Sequence, residues 1–163
     1  MEITTELVKE LRDKTGVSVM QCKKALEETG GDIEKATAIL LEKSAEIANK
    51  KSDRTLGAGF IATYVHATGN AGAMLELLCE TDFVAKNDEF KALARDIAMQ
   101  VTATNPAYVK PEDVKEGEEA EALLSQAFIK NPEMTVKNLL ESATQKFGEK
   151  IEISRFVRYS VGE

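Results

Sequence analysis

Hydrophobic residues in the first fifty positions recur at helical spacing in three short runs. The first run ends at Thr15-Gly16, where glycine tolerates the left-handed backbone that closes a helix. Ser18 followed by Gln21 is a capping-box pattern that predicts the start of a second helix, and Asp32 suits the cap of a third. The residues that share each helical face are Ile3, Leu7, Val8 and Leu11; Cys22, Ala25 and Leu26; and Ile33, Ala36, Leu40 and Ile47.

A polar linker separates these helices from a region with strand patterns. Residues 49–59 break the helical periodicity. Two runs rich in strand-forming residues, 60–66 and 73–80, flank the turn sequence Thr68-Gly69-Asn70, so we expect an antiparallel hairpin. Apolar residues at alternate positions between Ile151 and Val161 predict a third strand.

Two longer helical runs lie between these strands. One ends before Asn105-Pro106, and the other runs from Val136 to Phe147 with Gly148 just past its end. We expect both helices to cover the sheet. The predicted fold class is α+β, with a three-helix domain and linker in residues 1–53. Residues 54–163 are predicted to form a core in which a three-stranded antiparallel sheet packs with helices.

The overall charge argues against two kinds of partner. The chain has 163 residues, of which 28 are acidic and 21 are basic, for a net charge of -7. Nucleic acids and anionic membranes attract positively charged surfaces, so we expect no direct binding to either. No apolar run approaches the roughly 18 residues of a membrane span, and the first residues lack signal-peptide order. The sequence therefore predicts a cytoplasmic protein with two buried free thiols, Cys22 and Cys79.

Residue patterns typical of catalysis are missing from the sequence. His66 is the single histidine, so no histidine pair is available for zinc or for acid-base work. Gly57-Ala58-Gly59 lacks the third glycine of a dinucleotide loop and precedes a strand instead of following one. We therefore expect no catalytic residue, no metal site and no cofactor. The acidic run from Pro111 to Glu121 is expected to be a solvated loop or helix.

One stretch between the second strand and the long helix suggests a contact surface, Cys79-Glu80-Thr81-Asp82-Phe83-Val84-Ala85-Lys86-Asn87. Thr81 or Asp82 is suited to cap a short helical turn, which would leave Phe83 and Val84 at a convex corner. An aromatic residue at such a corner is a candidate anchor for a partner's pocket. The alternative is that Phe83 folds back onto the sheet, and the local pattern does not decide between the two.

This stretch and several others resemble signatures of the elongation factor Ts family, the exchange factors for the GTPase elongation factor Tu. The early segments are similar to the family's amino-terminal domain, a three-helix unit like ubiquitin-associated domains. The matching early segments are Leu7–Arg12, Thr15-Gly16, Cys22–Leu26 and Gly31–Glu34. The later ones are Asp96–Met99 with Pro106, Tyr108–Val114, and Gly148–Ile151 through Arg155–Arg158.

The resemblance implies an exchange site in the stretch just described. In the family, the residues that match Asp82 and Phe83 enter the GTPase beside its magnesium site, and the ring wedges between helices. The implied site residues are therefore Thr81, Asp82, Phe83 and Val84.

The resemblance also implies contacts elsewhere in the chain. Arg12, Val19 and Met20 match positions where the amino-terminal domain touches the GTPase. Ordinary packing within the bundle is the alternative for Val19 and Met20. His66 matches a family histidine that contacts the GTPase from the other core half, and the alternative is a surface or core histidine.

Two departures from the family pattern bear on assembly. The usual member has a longer segment before the final helix, whereas this chain passes almost directly from Glu121 to Phe128. Long members contain two related core halves, but this chain has strands for one sheet only. It therefore resembles the short members that pair, and we expect a homodimer.

Two other functions stay open from the sequence alone. One is a polypeptide-binding module or scaffold without exchange activity, and the other is an enzyme with an unrecognised site. A binding module would form a complex without changing GDP release, and an enzyme would turn over a substrate without any GTPase.

Overall fold

The computed structural model describes residues 2–163 and confirms the α+β class. The helices are α1 (Thr5–Thr15), α2 (Val19–Glu28), α3 (Ile33–Lys50), α4 (Asp82–Ala85), α5 (Asp88–Thr104) and α6 (Val136–Phe147). The strands are β1 (Ala58–Val65), β2 (Ala71–Cys79), β3 (Ala127–Phe128), β4 (Asn131–Thr135) and β5 (Glu152–Ser160). Among the described residues, no helix is both long enough and apolar enough to cross a lipid bilayer.

Residue contacts divide the chain into two compact units. The helical unit contains the chain up to Asp53 together with Asn138–Glu149. The sheet unit contains Arg54–Lys137 together with Lys150–Glu163.

The predicted end of α1 and the predicted starts of α2 and α3 are confirmed. Ser18 Oγ accepts the Gln21 N–H at 3.4 Å, and Asp32 caps α3. Gly16 has a φ of +70° at the end of α1, and its N–H donates to the Arg12 carbonyl at 2.8 Å. Their shared core consists of Val8, Leu11, Val17, Cys22, Ala25, Leu26, Ala36 and Leu40.

Most of helix α6 is part of the helical unit. From Asn138 onward, its residues belong to the same unit as α1 to α3. Ser44 Oγ donates to Gln145 Oε1 at 2.6 Å, and Gln145 Nε2 donates to Gln21 Oε1. An amphipathic pattern indicates that one helix face is buried but not which element covers it. The predicted helix is therefore confirmed, whereas its covering of the sheet stays a prediction.

The sheet has the strand order β1-β2-β5, and both pairings are antiparallel. The hairpin predicted from the turn sequence is confirmed as β1 and β2. Helix α5 packs against β1 and β2, and its Phe90, Ile97 and Val101 are fully buried, as are Leu75 and Leu77 of β2. The core of this unit therefore lies between α5 and one face of the sheet.

A β-bulge in β5 reverses which side chains face the core. The pairing of β2 with β5 skips Ser154. Ile153 is buried before the bulge, whereas Val157 and Tyr159 are exposed after it. The third strand predicted from the sequence is present. Its alternating apolar residues nevertheless do not share one face, since an extra residue shifts the two-residue alternation by one.

A buried amide holds the connection between α5 and α6. Gln100 is fully buried, and its Nε2 donates to Gln126 Oε1 at 3.1 Å and to the Ala127 carbonyl at 3.0 Å. Its Oε1 accepts the Ile129 N–H at 2.9 Å. These bonds attach the small β3–β4 hairpin to α5. The acidic run before it is largely exposed and begins with a single 3-10 turn, Pro111–Asp113.

Candidate functional site

The predicted contact stretch forms a single helical turn at the end of β2. Thr81 has extended backbone and precedes α4, and its carbonyl accepts the Ala85 N–H at 3.2 Å. The Lys86 N–H donates to the Asp82 carbonyl at 3.0 Å, which closes the turn. We call Thr81–Ala85 the corner turn.

The side chains of the corner turn face two different environments. Phe83 is 84% exposed, so it does not fold back onto the sheet. Thr81 and Asp82 are exposed beside it. Val84 is only 4% exposed, which corrects the expectation that it lies at the convex corner with Phe83. Successive residues of a helix point about 100° apart, so Val84 can face the protein while Phe83 faces solvent. Val84 holds the turn against the protein, and Phe83 projects from it.

The predicted residues of the helical unit lie around the start of α2. Met20 is 81% exposed and Val19 is half-exposed, so packing within the bundle does not account for Met20. Arg12 is exposed in the last turn of α1. These three side chains therefore leave an apolar pair and a cation accessible on this unit.

His66 lies just past the end of β1 and not inside a strand. Its N–H donates to the Ala71 carbonyl at 2.9 Å, and its carbonyl accepts the Gly69 N–H at 2.8 Å. The ring is exposed, with Nδ1 3.4 Å from the Tyr64 hydroxyl. The structure thus places His66 at the hairpin turn, on the surface.

The sheet face turned away from α5 is apolar and exposed, a feature that sequence reasoning missed. Its exposed hydrophobic side chains are Ile61, Val65, Met74, Val157 and Tyr159. A shallow groove of about 420 Å³ runs across this face and continues to Val161. We call it the outer sheet face. The alternating pattern of β5 does not reveal its bulge, and the bulge is what places Val157 and Tyr159 on this face.

Two observations on residues 2–163 concern reactive thiols and metal-binding groups. Both cysteines are buried and neither is in a disulfide, and burial raises the pKa of Cys22, which disfavours the reactive thiolate. Within residues 2–163, no three His, Cys, Asp or Glu side chains are grouped to hold a metal ion. With Phe83 84% exposed, the corner turn is a candidate for a contact with another molecule.

The chain is similar to proteins named elongation factor Ts. The family model described as Elongation factor TS matches residues 1–121. Elongation factor Ts of Carboxydothermus hydrogenoformans is 45% identical over 195 aligned positions, covering 99% of this chain and 90% of the relative. The proteins of that name from Thermodesulfovibrio yellowstonii and Thermotoga petrophila are 44% and 43% identical, each covering 100% of this chain and 98% of the relative.

These alignments are longer than the chain itself. They extend over 195 or 196 positions, against 163 residues here. The relatives therefore contain residues without a counterpart in this chain.

Proposed function

This chain belongs to the elongation factor Ts family, and on that basis we propose that it binds the GTPase elongation factor Tu and accelerates GDP release from it. The observation that supports a mechanism is the 84% exposure of Phe83 on a turn whose next residue, Val84, is buried. A large apolar ring held out in water gains free energy by entering a partner's pocket. The exposed carboxylate of Asp82 accompanies it into the region that holds magnesium and phosphate.

Such a contact acts through coupling between two binding sites. GDP in a GTPase is held by phosphate and magnesium contacts, so moving the groups that make them weakens the nucleotide. Because the coupling is reciprocal, incoming nucleotide displaces the factor in turn. Weakening a nanomolar ligand to micromolar affinity takes about 4 kcal/mol. No covalent bond is made or broken, so the protein is an exchange factor and not an enzyme.

Other exposed residues are proposed to add affinity. Met20 and Val19 offer apolar contact area on the helical unit, with Arg12 as a nearby cation. His66 offers a further polar contact at the hairpin turn. Thr81 contributes through the backbone of the corner turn, and Val84 supports that turn from inside. A factor that acts on a translational GTPase works in the cytoplasm.

A homodimer is the second part of the proposal. The outer sheet face exposes Val65, Met74, Val157 and Tyr159, and Tyr159 is 78% exposed. Exposed apolar surface of this kind favours association, and pairing between two copies buries the same patch twice. The alignment gap relative to longer proteins fits the short type of member, for which the resemblance implies pairing.

The proposed mechanism is tested by measuring the release of fluorescent GDP from elongation factor Tu. We expect the wild-type chain to accelerate release and Phe83→Ala to lose about thirtyfold, since interface anchors contribute about 2 kcal/mol or more. Asp82→Ala is expected to lose a large part of the acceleration as well. Ile129→Ala is the matched control, because Ile129 is an exposed apolar residue away from the corner turn.

The outcomes separate the three functions considered. Equal acceleration by Phe83→Ala and wild type would show that the ring is not the exchange element. Complex formation without faster release would indicate a polypeptide-binding module. Turnover of a substrate in the absence of the GTPase would indicate an enzyme.

A further inference from the structure

A buried thiol lies beside the corner turn and bonds to it. Cys79 ends β2 and is fully buried, and its thiol donates to the Thr81 carbonyl with an Sγ···O distance of 3.3 Å. The same carbonyl accepts the Ala85 N–H at 3.2 Å, the bond with which α4 begins. A carbonyl oxygen has two lone pairs, so it accepts both donors together. The last side chain of the buried strand is thus tied to the first hydrogen bond of the turn.

The turn depends on such attachments because it is short. Helix α4 has four residues, and a single helical turn is not stable by itself, since its first hydrogen bond orders several residues. On its far side, Val84 and Ala85 are buried. On its near side, Glu80 forms an ion pair with Arg54 at 3.6 Å. Between these attachments, the Cys79 thiol donates to the carbonyl of Thr81, the residue directly before Asp82 and Phe83.

We propose that Cys79 is a positioning residue for nucleotide exchange, because its thiol orients the Thr81 carbonyl and thereby the direction in which Phe83 projects. This inference rests on the exchange function proposed above. The thiol itself touches no partner and undergoes no reaction. Without it, the corner turn samples more orientations, and a smaller fraction of bound complexes has the ring in place.

The expected effect falls on the maximal rate and not on association. Contacts elsewhere on the surface bring the two proteins together, so the factor concentration that gives half-maximal release stays nearly constant. An interaction that matters only when the ring inserts changes the rate at saturation. One hydrogen bond corresponds to about a fivefold loss of that rate in Cys79→Ala. Cys79→Ser keeps a donor at this position and is expected to recover most of the loss.

The second buried cysteine provides a matched control. Cys22 is also fully buried, and its thiol donates to the Val17 carbonyl at 3.6 Å in the helical unit. Cys22→Ala therefore loses a similar buried thiol at a position unrelated to the corner turn. We expect it to keep the wild-type maximal rate within about twofold, which is within the usual spread of neutral substitutions.

The experiment measures GDP release against factor concentration for full-length wild type, Cys79→Ala, Cys79→Ser, Cys79→Val and Cys22→Ala. Cys79→Val fills the space of the thiol without a donor, so it replaces Cys79→Ala should that variant melt near the assay temperature. Equal maximal rates for Cys22→Ala and the donor-free Cys79 variants would overturn the inference. So would a Cys79→Ser variant as slow as Cys79→Ala.

Amide hydrogen exchange at Ala85 distinguishes this inference from the function on which it rests. Loss of the thiol is expected to speed exchange of the Ala85 N–H relative to Cys22→Ala, whether or not a GTPase is present. A wild-type chain that fails to accelerate GDP release contradicts the proposed function. Unchanged Ala85 protection in Cys79→Ala contradicts the positioning role even when wild type is active.

Discussion

Phe83 and Val84 are neighbours in the chain but lie in opposite environments, 84% and 4% exposed. The helical turn separates their directions, and the burial of one holds the other in solvent. Backbone conformation also matters at Gly16, whose left-handed φ of +70° ends α1 shortly after Arg12. The local backbone thus sets the directions of neighbouring side chains, and packing against the rest of the chain decides which of them is buried.

An ion pair makes the stability of the sheet unit dependent on pH. Lys110 Nζ lies 2.7 Å from Glu152 Oε1, and this bond lowers the pKa of Glu152 and raises the pKa of Lys110. A carboxyl with a lowered pKa stabilises the folded state above its ordinary pKa, and this stabilisation is lost as pH falls through the lowered pKa. Both pKa shifts have the Lys110–Glu152 bond as their largest cause, so their contributions to the free energy of unfolding are not added together.

Lys110→Met is expected to reduce the free energy of unfolding near neutral pH and to have little effect in strong acid. Chemical denaturation from pH 2 to pH 7 measures this as a difference from wild type that shrinks as the pH falls below about 4. Glu152→Gln is expected to give a profile of the same shape with a larger difference, because it also removes the ion pair of Glu152 Oε2 with Lys150 Nζ at 3.5 Å. The double variant is expected to lose no more than Glu152→Gln alone. A difference that stays constant with pH would contradict the assignment.

Gln100→Leu tests the buried amide that holds the β3–β4 hairpin. The substitution leaves the Ala127 carbonyl and the Ile129 N–H without their partner, so we expect a loss of about 1 to 3 kcal/mol in unfolding free energy. Urea denaturation measures it, with Lys24→Leu at an exposed position of α2 as control. A loss no larger than that of the control would show that the hairpin does not depend on this side chain.

The helices and strands differ in how far their packing follows from their own residues. The core of α1 to α3 draws all its members from the first forty residues, from Val8 to Leu40. Helix α6 instead begins in the sheet unit and has its later residues in the helical unit. β5 changes faces within nine residues at Ser154.

Residues 1–53 are expected to fold alone as the predicted three-helix domain. The core residues from Val8 to Leu40 all lie within this range, although a unit of this size is only marginally stable. Circular dichroism of the fragment should show helix that unfolds cooperatively on heating. Leu11→Ala, which empties a fully buried position, should lower the midpoint strongly. A fragment without a cooperative transition would contradict the proposed boundary and assign 138–149 to the domain.

The arrangement of the strands produces the surface on which the proposed homodimer depends. The bulge brings Val157 next to Met74 on the outer sheet face, as cross-strand partners in the β2–β5 register. Together with Val65 and Tyr159, they form an exposed apolar surface on the sheet unit. This surface is the basis of the proposed homodimer.

A dimer is expected to have twice the 17.8 kDa mass of the chain by light scattering. The double variant Met74→Glu/Val157→Glu should have the mass of a monomer, because pairing would bury several like charges without partners. Ile129→Glu adds a charge at an exposed apolar position outside this face and should remain dimeric. A wild-type chain with the mass of a monomer would contradict the proposed homodimer.

The sequence by itself determined the features that depend on neighbouring residues. The caps of α2 and α3, the end of α1 at Gly16, the β1–β2 hairpin and the long helix α5 follow from local backbone and side-chain preferences. The family signature in residues 79–87 likewise lies in contiguous residues.

Only the tertiary structure decided the features that depend on residues distant in the chain. The membership of most of α6 in the helical unit, the reversal of β5 at its bulge, and the choice of Phe83 over Val84 as the projecting side chain are three such features. A periodic pattern records that a face is buried, since burial of apolar surface drives folding. It carries no information about the partner that buries it, and that partner is chosen by the whole folded chain.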